Sequence, residues 1–335
     1  MNYKIKKISG DASFREFYRL KKNNKTTIIV STKKDKYKNL IVYSVINNIL
    51  NSNKIHAPRL ISNHYGNSMI EISDLGDKSF YYSIISKKNK LNEYKLLIKL
   101  IIKLQKIKIK RIYKLGKFKV KLSKYTSNHL HKESDLFFDW YLKYTLKKKK
   151  TSKIKKLFRT ELNKIYKKLN FKNDIFVHRD FHVSNIMFGK KKLGVIDSQD
   201  AIIGNPLYDV ASLIDDVRIK LTQDLQNKLF EFYCKNSKYK KEKKEKLKND
   251  FDILSVQRNL KILGIFVRLS KRDKKLNYLK YLPYTWSLIE RRMKNPIFMS
   301  GLGAFKVIGR ILFPNPAARI IPSLIFIFFI FFKFF

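Results

Sequence analysis

The chain has 335 residues, 44% of them hydrophobic, and its 74 Lys and Arg against 26 Asp and Glu give a formal net charge of +48. This length suffices for a sizeable buried core arranged in two lobes or two domains. The single cysteine, Cys234, excludes an intramolecular disulfide, and residues 1–7 lack the apolar core of a secretory signal, so we expect a cytoplasmic protein.

The positive charge has two interpretations. A charge of this size is typical of proteins that bind nucleic acid or anionic membranes. However, Lys, Ile, Asn, Phe and Tyr are abundant together, as coding sequence rich in A and T would give, and the lysines are spread along the whole chain. We therefore expect no specific nucleic-acid partner, only nonspecific binding of polyanions that weakens with salt.

The N-terminal region, residues 1–76, carries the patterns of β-structure with one helix. Residues 10–15 are a turn-forming string, and β-branched or apolar runs after it predict strands. Apolar residues at helical spacing predict the helix. The predicted strands are 17–20, 26–30 and 69–72, and the predicted helix is 37–50.

From residue 77 onward the apolar spacing becomes helical, and one strand-rich segment, 175–200, interrupts it. The predicted helices are 91–108, 133–148, 152–170, 206–222, 224–236, 249–270 and 284–293. A small β-rich lobe followed by a larger helical lobe predicts an α+β fold with a bilobal, protein-kinase-like arrangement.

The most informative motif is at residues 178–185, which read H-R-D-x-x-x-x-N and are followed by an apolar run that ends at Asp197. Phosphoryl transfer from a nucleotide uses these residue types. One carboxylate orients or deprotonates the attacking hydroxyl, while an amide oxygen and a second carboxylate hold magnesium.

Short apolar runs around this motif predict how its residues meet. Residues 175–177 read as a buried strand, and 185–188 with 193–197 read as a hairpin around a turn at 189–192. Such a hairpin would bring Asn185 and Asp197 to one mouth, within reach of one metal ion.

With these residues placed, the chain resembles the aminoglycoside phosphotransferase and choline kinase superfamily, a branch of the protein-kinase-like fold. Within it, the chain looks most like the N-acetylmuramate/N-acetylglucosamine anomeric sugar kinases. The resemblance covers about residues 5–313. The segments that carry it are 10–15, 73–77, 178–185 with 195–201 and 204–209, and 263–269 with 272–273.

The resemblance implies an enzyme, a phosphotransferase with an alcohol group as acceptor, that uses ATP and Mg²⁺. Its small-molecule substrate would be a sugar, and the product a phosphate on the anomeric hydroxyl, as in cell-wall sugar recycling. The implied domains are an N-terminal nucleotide-binding lobe at 1–76, a C-terminal catalytic and substrate lobe at 77–313, and an apolar tail at 314–335.

Two alternatives stay open. A kinase of another alcohol, such as choline, ethanolamine or an aminoglycoside, would keep the fold, although few acidic residues are present to bind a cationic acceptor. A basic pseudokinase that binds polyanions or membranes is the other, and the intact Asp180, Asn185 and Asp197 speak against it.

Carried over to this chain, the resemblance implies a role for each matching residue. Asp180 would be the catalytic base, Asn185 and Asp197 the magnesium ligands, and His178 and Asp209 the structural support of the catalytic loop. The implied nucleotide-binding residues are Gly10, Asp11, Ser13, Arg15, Asp74 and Leu75.

The chain departs from the protein-kinase pattern in three places. Glycine is sparse in the 10–15 loop compared with G-x-G-x-x-G. Where kinases place a lysine in the middle of a small-lobe strand, this chain offers Lys33 or Lys34 just after the strand, or neither. Residues 197–199 read D-S-Q instead of D-F-G, which is expected for small-molecule kinases.

Two further groups have competing interpretations. Gln257 and Arg268 lie near the same face of a late apolar helix, where they would line the sugar pocket or form buried salt bridges. His129 and His131, close to acidic residues, would bind a metal or be polar residues at a helix start, and we favour the second.

The C-terminal residues 320–335 are almost entirely apolar. As a helix they would span about 24 Å at ~1.5 Å per residue, short of the ~30 Å hydrocarbon core of a bilayer. Three alternatives stay open for residues 317–335. They would contact a membrane as a tilted or interfacial anchor, giving a membrane-associated protein, they would dock on the large lobe, or they would be disordered.

Overall fold

The computed structural model of the protein describes residues 3–8, 15–23, 25–146, 151–188 and 192–298. The predictions for Gly10, Asp11 and Ser13, and those for the apolar tail, lie outside these residues.

The described elements alternate between short strands and longer helices. The strands are β1 Tyr3–Ile8, β2 Glu16–Lys22, β3 Lys25–Ser31, β4 Leu60–His64, β5 Met69–Ser73, β6 Tyr113–Leu115, β7 Phe118–Val120, β8 Ile175–Val177, β9 Ile186–Phe188, β10 Leu193–Val195 and β11 Ile202–Gly204. The helices are α1 Tyr37–Ser52, α2 Phe80–Ile84, α3 Leu91–Gln105, α4 Ser127–Leu136, α5 Lys143–Leu146, α6 Thr151–Tyr166, α7 Leu207–Ile214, α8 Gln223–Asn236, α9 Lys244–Arg272 and α10 Leu282–Arg292.

The chain falls into two compact units. The first comprises the residues up to Tyr125, Lys172–Asp216 and Leu221–Lys241. The second comprises Thr126–Phe171, Val217–Lys220 and the residues from Glu242 onward. An N-terminal sheet followed by a helical C-terminal part confirms the predicted α+β class.

The N-terminal sheet of the first unit has five antiparallel strands in the order β1-β2-β3-β5-β4. In β3, Ile28 and Val30 are buried and pair across the sheet with Ile72 and Ile70 of β5. In each of these strands the buried β-branched side chains occupy every second position, so one face of the sheet packs against the core.

The two edge strands, β1 and β4, were missed by the sequence analysis. The sequence of β1, YKIKKI, is rich in lysine and largely exposed, and β4 is also mostly polar. Polar edge strands are common because charge discourages pairing with another chain, and they leave little apolar pattern to find.

Two predicted helical regions require correction. Of the helix predicted at 206–222, only α7 forms. The two residues that follow it, Asp215 and Asp216, are buried and are used as hydrogen-bond acceptors. Asp215 accepts from the side chain of Gln226, and Asp216 accepts from the backbone N–H of Val183. The region after residue 77 also contains an unpredicted hairpin of β6 and β7, which turns at Gly116 with φ of +56°.

The second unit is a helical core built on the long α9. The helix predicted at 133–148 is interrupted by a π-helical turn, Phe137–Leu142, between α4 and α5. At this place Gly264 of α9 meets the end of α4, where a Cβ on Gly264 would stand 2.2 Å from the carbonyl oxygen of Leu136. Among the helices of the described ranges, none has the length and apolarity needed to cross a bilayer.

Candidate active site

The loop at 178–185 follows the buried strand β8, which pairs with β11 through Val177 and Ile202. At Arg179 the backbone turns into the left-handed region, with φ of +74°. The carboxylate of Asp209, in the first turn of α7, accepts hydrogen bonds from the backbone N–H groups of His178 at 2.7 Å and Arg179 at 3.0 Å. Since a left-handed non-glycine residue costs of order 1 kcal/mol, this buried carboxylate holds the loop in a shape it would not otherwise keep.

His178 is fully buried behind the loop. Its Nε2 lies 3.0 Å from the carbonyl oxygen of Ile196, and its ring meets Phe181 edge-on. The imidazole thus joins the loop to the segment that leads into Asp197. This placement is that of a packed scaffold residue away from solvent.

Asp180 stands at the open side of the loop with its side chain 46% exposed. Its backbone oxygen accepts from Nδ2 of Asn185 at 3.0 Å, and its Oδ2 lies 3.3 Å from the same nitrogen. Nε2 of the buried His182 is 3.4 Å from that oxygen. The carboxylate is therefore both reachable from solvent and oriented by neighbouring donors.

Asn185 and Asp197 meet as the predicted hairpin requires. Strands β9 and β10 pair antiparallel, and the N–H of Ile196 donates to the carbonyl oxygen of Asn185 at 3.0 Å. Asp197 follows at once in a left-handed conformation, with φ of +62° and its side chain 37% exposed. The hydroxyl of the buried Ser198 donates to Oδ1 of Asn47 at 2.8 Å, which ties this turn to α1.

The side-chain oxygen atoms of Asn185 and Asp197 are of the kind that binds a hard cation. Nδ2 of Asn185 points at Asp180 and His182, which leaves Oδ1 as the oxygen that can meet a metal. No group of three or more His, Cys, Asp or Glu that could hold a metal occurs in the part of the chain the structure describes. An amide oxygen plus one carboxylate fits Mg²⁺, which keeps waters and phosphate oxygens as its other ligands.

Arg15, immediately before β2, reaches the same mouth. Its guanidinium donates to Oδ1 of Asp197 at 2.5 Å and to Oε1 of Gln199 at 2.9 Å, and the residue is only 4% exposed. Sequence reasoning placed Arg15 in a phosphate-covering loop but gave no sign of this ion pair. A contact between residues so far apart in sequence leaves no local pattern.

The two other predicted nucleotide-binding residues lie at the end of the N-terminal sheet, just after β5. Oδ2 of Asp74 is 2.6 Å from Nε of Arg19, and its Oδ1 accepts from the N–H of Gly76 at 2.9 Å. Leu75 packs on Gly194 of β10, where an added Cβ would stand 2.7 Å from its Cδ1. Both residues thus fix the segment that follows the sheet, and any contact with adenine remains a prediction.

The structure does not bring Gln257 and Arg268 together. Both lie on α9, about 16 Å apart along the axis at ~1.5 Å per residue. Nε2 of the fully buried Gln257 donates to Oε2 of Glu133 at 2.9 Å, and burial lowers the pKa of Arg268. Their place in a sugar pocket stays a prediction.

The two histidines of α4 have structural partners. His129 forms a capping box with Thr126 at the start of the helix, and His131 packs edge-on against Tyr166. These contacts support the interpretation of both histidines as polar residues near a helix start, and not as metal ligands.

A protein-family model described as the phosphotransferase enzyme family matches residues 4–244 of this chain. Among curated proteins, an N-acetylmuramate/N-acetylglucosamine kinase of Pseudomonas aeruginosa is 25% identical over 299 residues, which cover 88% of this chain and 85% of the relative. A protein of the same name from Neisseria meningitidis is 24% identical over 287 residues, covering 84% of each chain.

Solved structures share the fold at much lower identity. An ethanolamine kinase of Plasmodium vivax superposes with a TM-score of 0.61 at 13% identity, over 90% of this chain and 84% of the other. A spectinomycin phosphotransferase in complex with ADP and spectinomycin gives a TM-score of 0.57 at 14% identity, over 88% and 93% of the two chains.

Proposed function

We propose that this chain, which belongs to the phosphotransferase enzyme family, is an ATP- and Mg²⁺-dependent kinase that phosphorylates the anomeric hydroxyl of N-acetylmuramate or N-acetylglucosamine. The observation that supports the proposal is that hydrogen bonds join Asn185 to Asp180 and join the backbone of Asn185 to that of Ile196, the residue before Asp197. The choice of acceptor is supported by the curated relatives, which carry that name over 84% or more of this chain.

Asp180 would act on the acceptor. Its exposed carboxylate would orient the sugar hydroxyl and take its proton as the oxygen bonds to the γ-phosphorus and the bond to the leaving ADP oxygen breaks. The hydrogen bond from Asn185 to the Asp180 backbone keeps this carboxylate beside the metal ligands through the reaction.

Asn185 and Asp197 would hold Mg²⁺, which when bound neutralises charge on the transferring phosphoryl group. Oxygen ligands of this kind are those that Mg²⁺ prefers. His178 and Asp209 would act through the loop backbone, by holding it in the shape that aims Asp180 outward.

The test is a panel of acceptors with labelled ATP, followed by phosphorus NMR of the product. We expect an acid-labile phosphate on C1 of one of the two amino sugars, no product without Mg²⁺, and product formation at least about 10²-fold slower with an Asp180→Asn control. A stable phosphomonoester on C6, or reaction only with choline, ethanolamine or an aminoglycoside, would assign the enzyme to another acceptor.

A further inference from the structure

His182 is a buried polar residue of the 178–185 loop that the proposed mechanism does not yet use. It stands between Asp180 and Asn185 in sequence, and only 4% of it is exposed. Its ring nitrogen Nε2 lies 3.2 Å from Nδ2 of Asn185 and 3.4 Å from Oδ2 of Asp180. One buried nitrogen therefore lies close to both the proposed base and a proposed metal ligand.

The direction of the bond between His182 and Asn185 follows from the other partner of the amide. Nδ2 of Asn185 lies 3.0 Å from the backbone oxygen of Asp180, and a carbonyl oxygen can only accept, so Nδ2 is a donor. Nε2 of His182 then accepts from Nδ2 and carries no hydrogen. Because a nitrogen without a hydrogen cannot donate to the Asp180 carboxylate, the partner of this imidazole is Asn185.

The second ring nitrogen of His182, Nδ1, has no such use. It carries the hydrogen of the ring in this arrangement, and it is buried without a hydrogen-bond partner among the residues that the structure describes. A buried donor without a partner destabilises a fold, and an apolar side chain of similar size would avoid that loss. This favours a role for the imidazole at Nε2 over a role in packing alone.

Backbone contacts fix the place of His182 relative to Asn185. The carbonyl oxygen of His182 accepts from the backbone N–H of Asn185 at 2.9 Å, across the single turn Val183–Asn185. The backbone N–H of Val183 donates to the buried carboxylate of Asp216 at 3.3 Å. His182 thus contacts Asn185 through both the backbone and the side-chain amide, and Oδ1 is the atom of that amide left for a metal.

From these contacts we infer that His182 is a positioning residue, which accepts from Nδ2 of Asn185 and so fixes the amide with Oδ1 toward Mg²⁺. The inference rests on the proposed function, because it needs Asn185 to be a metal ligand. Side chains behind a ligand commonly orient it in this way, and their loss weakens metal binding. The test is ADP affinity by isothermal titration calorimetry in EDTA and over a series of Mg²⁺ concentrations, a measurement that needs no acceptor sugar.

We expect His182→Leu, which removes the acceptor, to raise the Mg²⁺ concentration that gives half of the gain in ADP affinity by roughly 3- to 10-fold, the effect of one hydrogen bond. ADP affinity in EDTA should stay at the wild-type value. His182→Gln should restore most of the Mg²⁺ dependence, because its amide oxygen extends about as far as Nε2. His64→Leu, the same change at an exposed histidine of the same unit, should behave as wild type does.

A double variant separates positioning from a general loss of structure. If His182 acts through Asn185, His182→Leu/Asn185→Ala should lose no more Mg²⁺ dependence than Asn185→Ala alone. Four results would overturn the inference. These are wild-type Mg²⁺ dependence in His182→Leu, an equal loss in His182→Leu and His182→Gln, additive losses in the double variant, or an equal weakening of ADP binding in EDTA and in Mg²⁺.

Two further outcomes are assigned in advance. If His182→Leu has no thermal unfolding transition, His182→Asn replaces it, because its side chain is too short to reach Asn185, and wild-type Mg²⁺ dependence in that variant overturns the inference. A wild-type protein whose ADP affinity responds to Mg²⁺ but which phosphorylates no amino sugar would overturn the proposed acceptor and leave the role of His182 standing.

Discussion

At the scale of single residues, two of the six described non-glycine residues with positive φ belong to the candidate site. Arg179 and Asp197 both have positive φ, and they lie on either side of the Asp180–Asn185 pair in sequence. Such conformations persist only where the surroundings hold them, here through Asp209 and through the Ser198–Asn47 bond. These contacts hold the backbone on both sides of the Asp180–Asn185 pair.

Replacing Asp180 by Asn should reduce kcat by about 10²- to 10⁴-fold, the usual contribution of a positioned acid–base group. ADP affinity should remain near wild type, because the backbone oxygen that Asn185 contacts is unchanged. Steady-state kinetics and calorimetry measure the two effects. Asp224→Asn, at a carboxylate that is 71% exposed, is the matched control. Turnover at the wild-type rate in Asp180→Asn would mean that another group takes the proton.

Replacing Asp197 by Asn should remove most of the magnesium dependence of nucleotide binding, because an amide offers one neutral oxygen where the carboxylate offered two charged ones. Asn185→Ala should weaken that dependence to a smaller degree. The measurement is the ratio of ADP affinities with Mg²⁺ and with EDTA. If Asp197→Asn keeps the wild-type ratio, the metal is held elsewhere.

The part of the site that could be predicted is the part that is local in sequence. The 178–185 motif and the hairpin after it follow from residue spacing within one short segment, and the structure has that hairpin. The ion pair of Arg15 with Asp197 and the bond of Asn47 with Ser198 join distant segments. Those contacts form only when the sheet and α1 pack together, so the spacing of residues in the sequence does not predict them.

At the scale of elements, long periodic helices were predicted well and short or polar elements were not. The patterns at 91–108 and 249–270 correspond to α3 and α9. The π-helical turn after α4 was missed, because its six residues, FFDWYL, include no Gly or Pro that would mark an interruption of the helix. The feature that distinguishes this turn is a tertiary contact, because the turn lies where the end of α4 meets Gly264.

Gly264→Ala should lower the free energy of unfolding by about 1–3 kcal/mol, the usual cost of overpacking a core. The added Cβ would stand 2.2 Å from backbone atoms of Leu136, which cannot rotate aside as a side chain could. Gly66→Ala is the control, because nothing lies within 4 Å of its added Cβ. Chemical denaturation measures both variants, and equal stability for Gly264→Ala and wild type would contradict this close approach.

At the scale of the whole molecule, the proposed catalytic base, metal ligands and loop-supporting residues lie between His178 and Asp209, and all fall in the first unit. The apolar C-terminal residues offer none of the side chains that this chemistry needs. Their sequence predicts contact with a membrane or with the large lobe, and apolar stretches of this kind are an aggregation hazard wherever they meet solvent.

Deleting residues 317–335 should therefore leave kinase activity intact and raise solubility. Specific activity and partitioning onto anionic liposomes are measured for the full-length and truncated proteins at matched salt. An inactive or unfolded truncated protein would show that the tail is part of the helical core. Unchanged partitioning would show that the charge of +48, and not the tail, governs membrane association.

The hydrogen bonds from the loop to Asp209 also make the frequency of local loop opening measurable by hydrogen exchange. The amide hydrogens of His178 and Arg179 donate to a carboxylate that is only 2% exposed, so they can exchange with deuterium only when the loop separates from α7. In Asp209→Asn one of the two acceptors becomes a donor, and deuterium uptake in a peptide spanning 176–180 should accelerate relative to peptides from α3. The uptake rate would then report how often the native protein releases its catalytic loop.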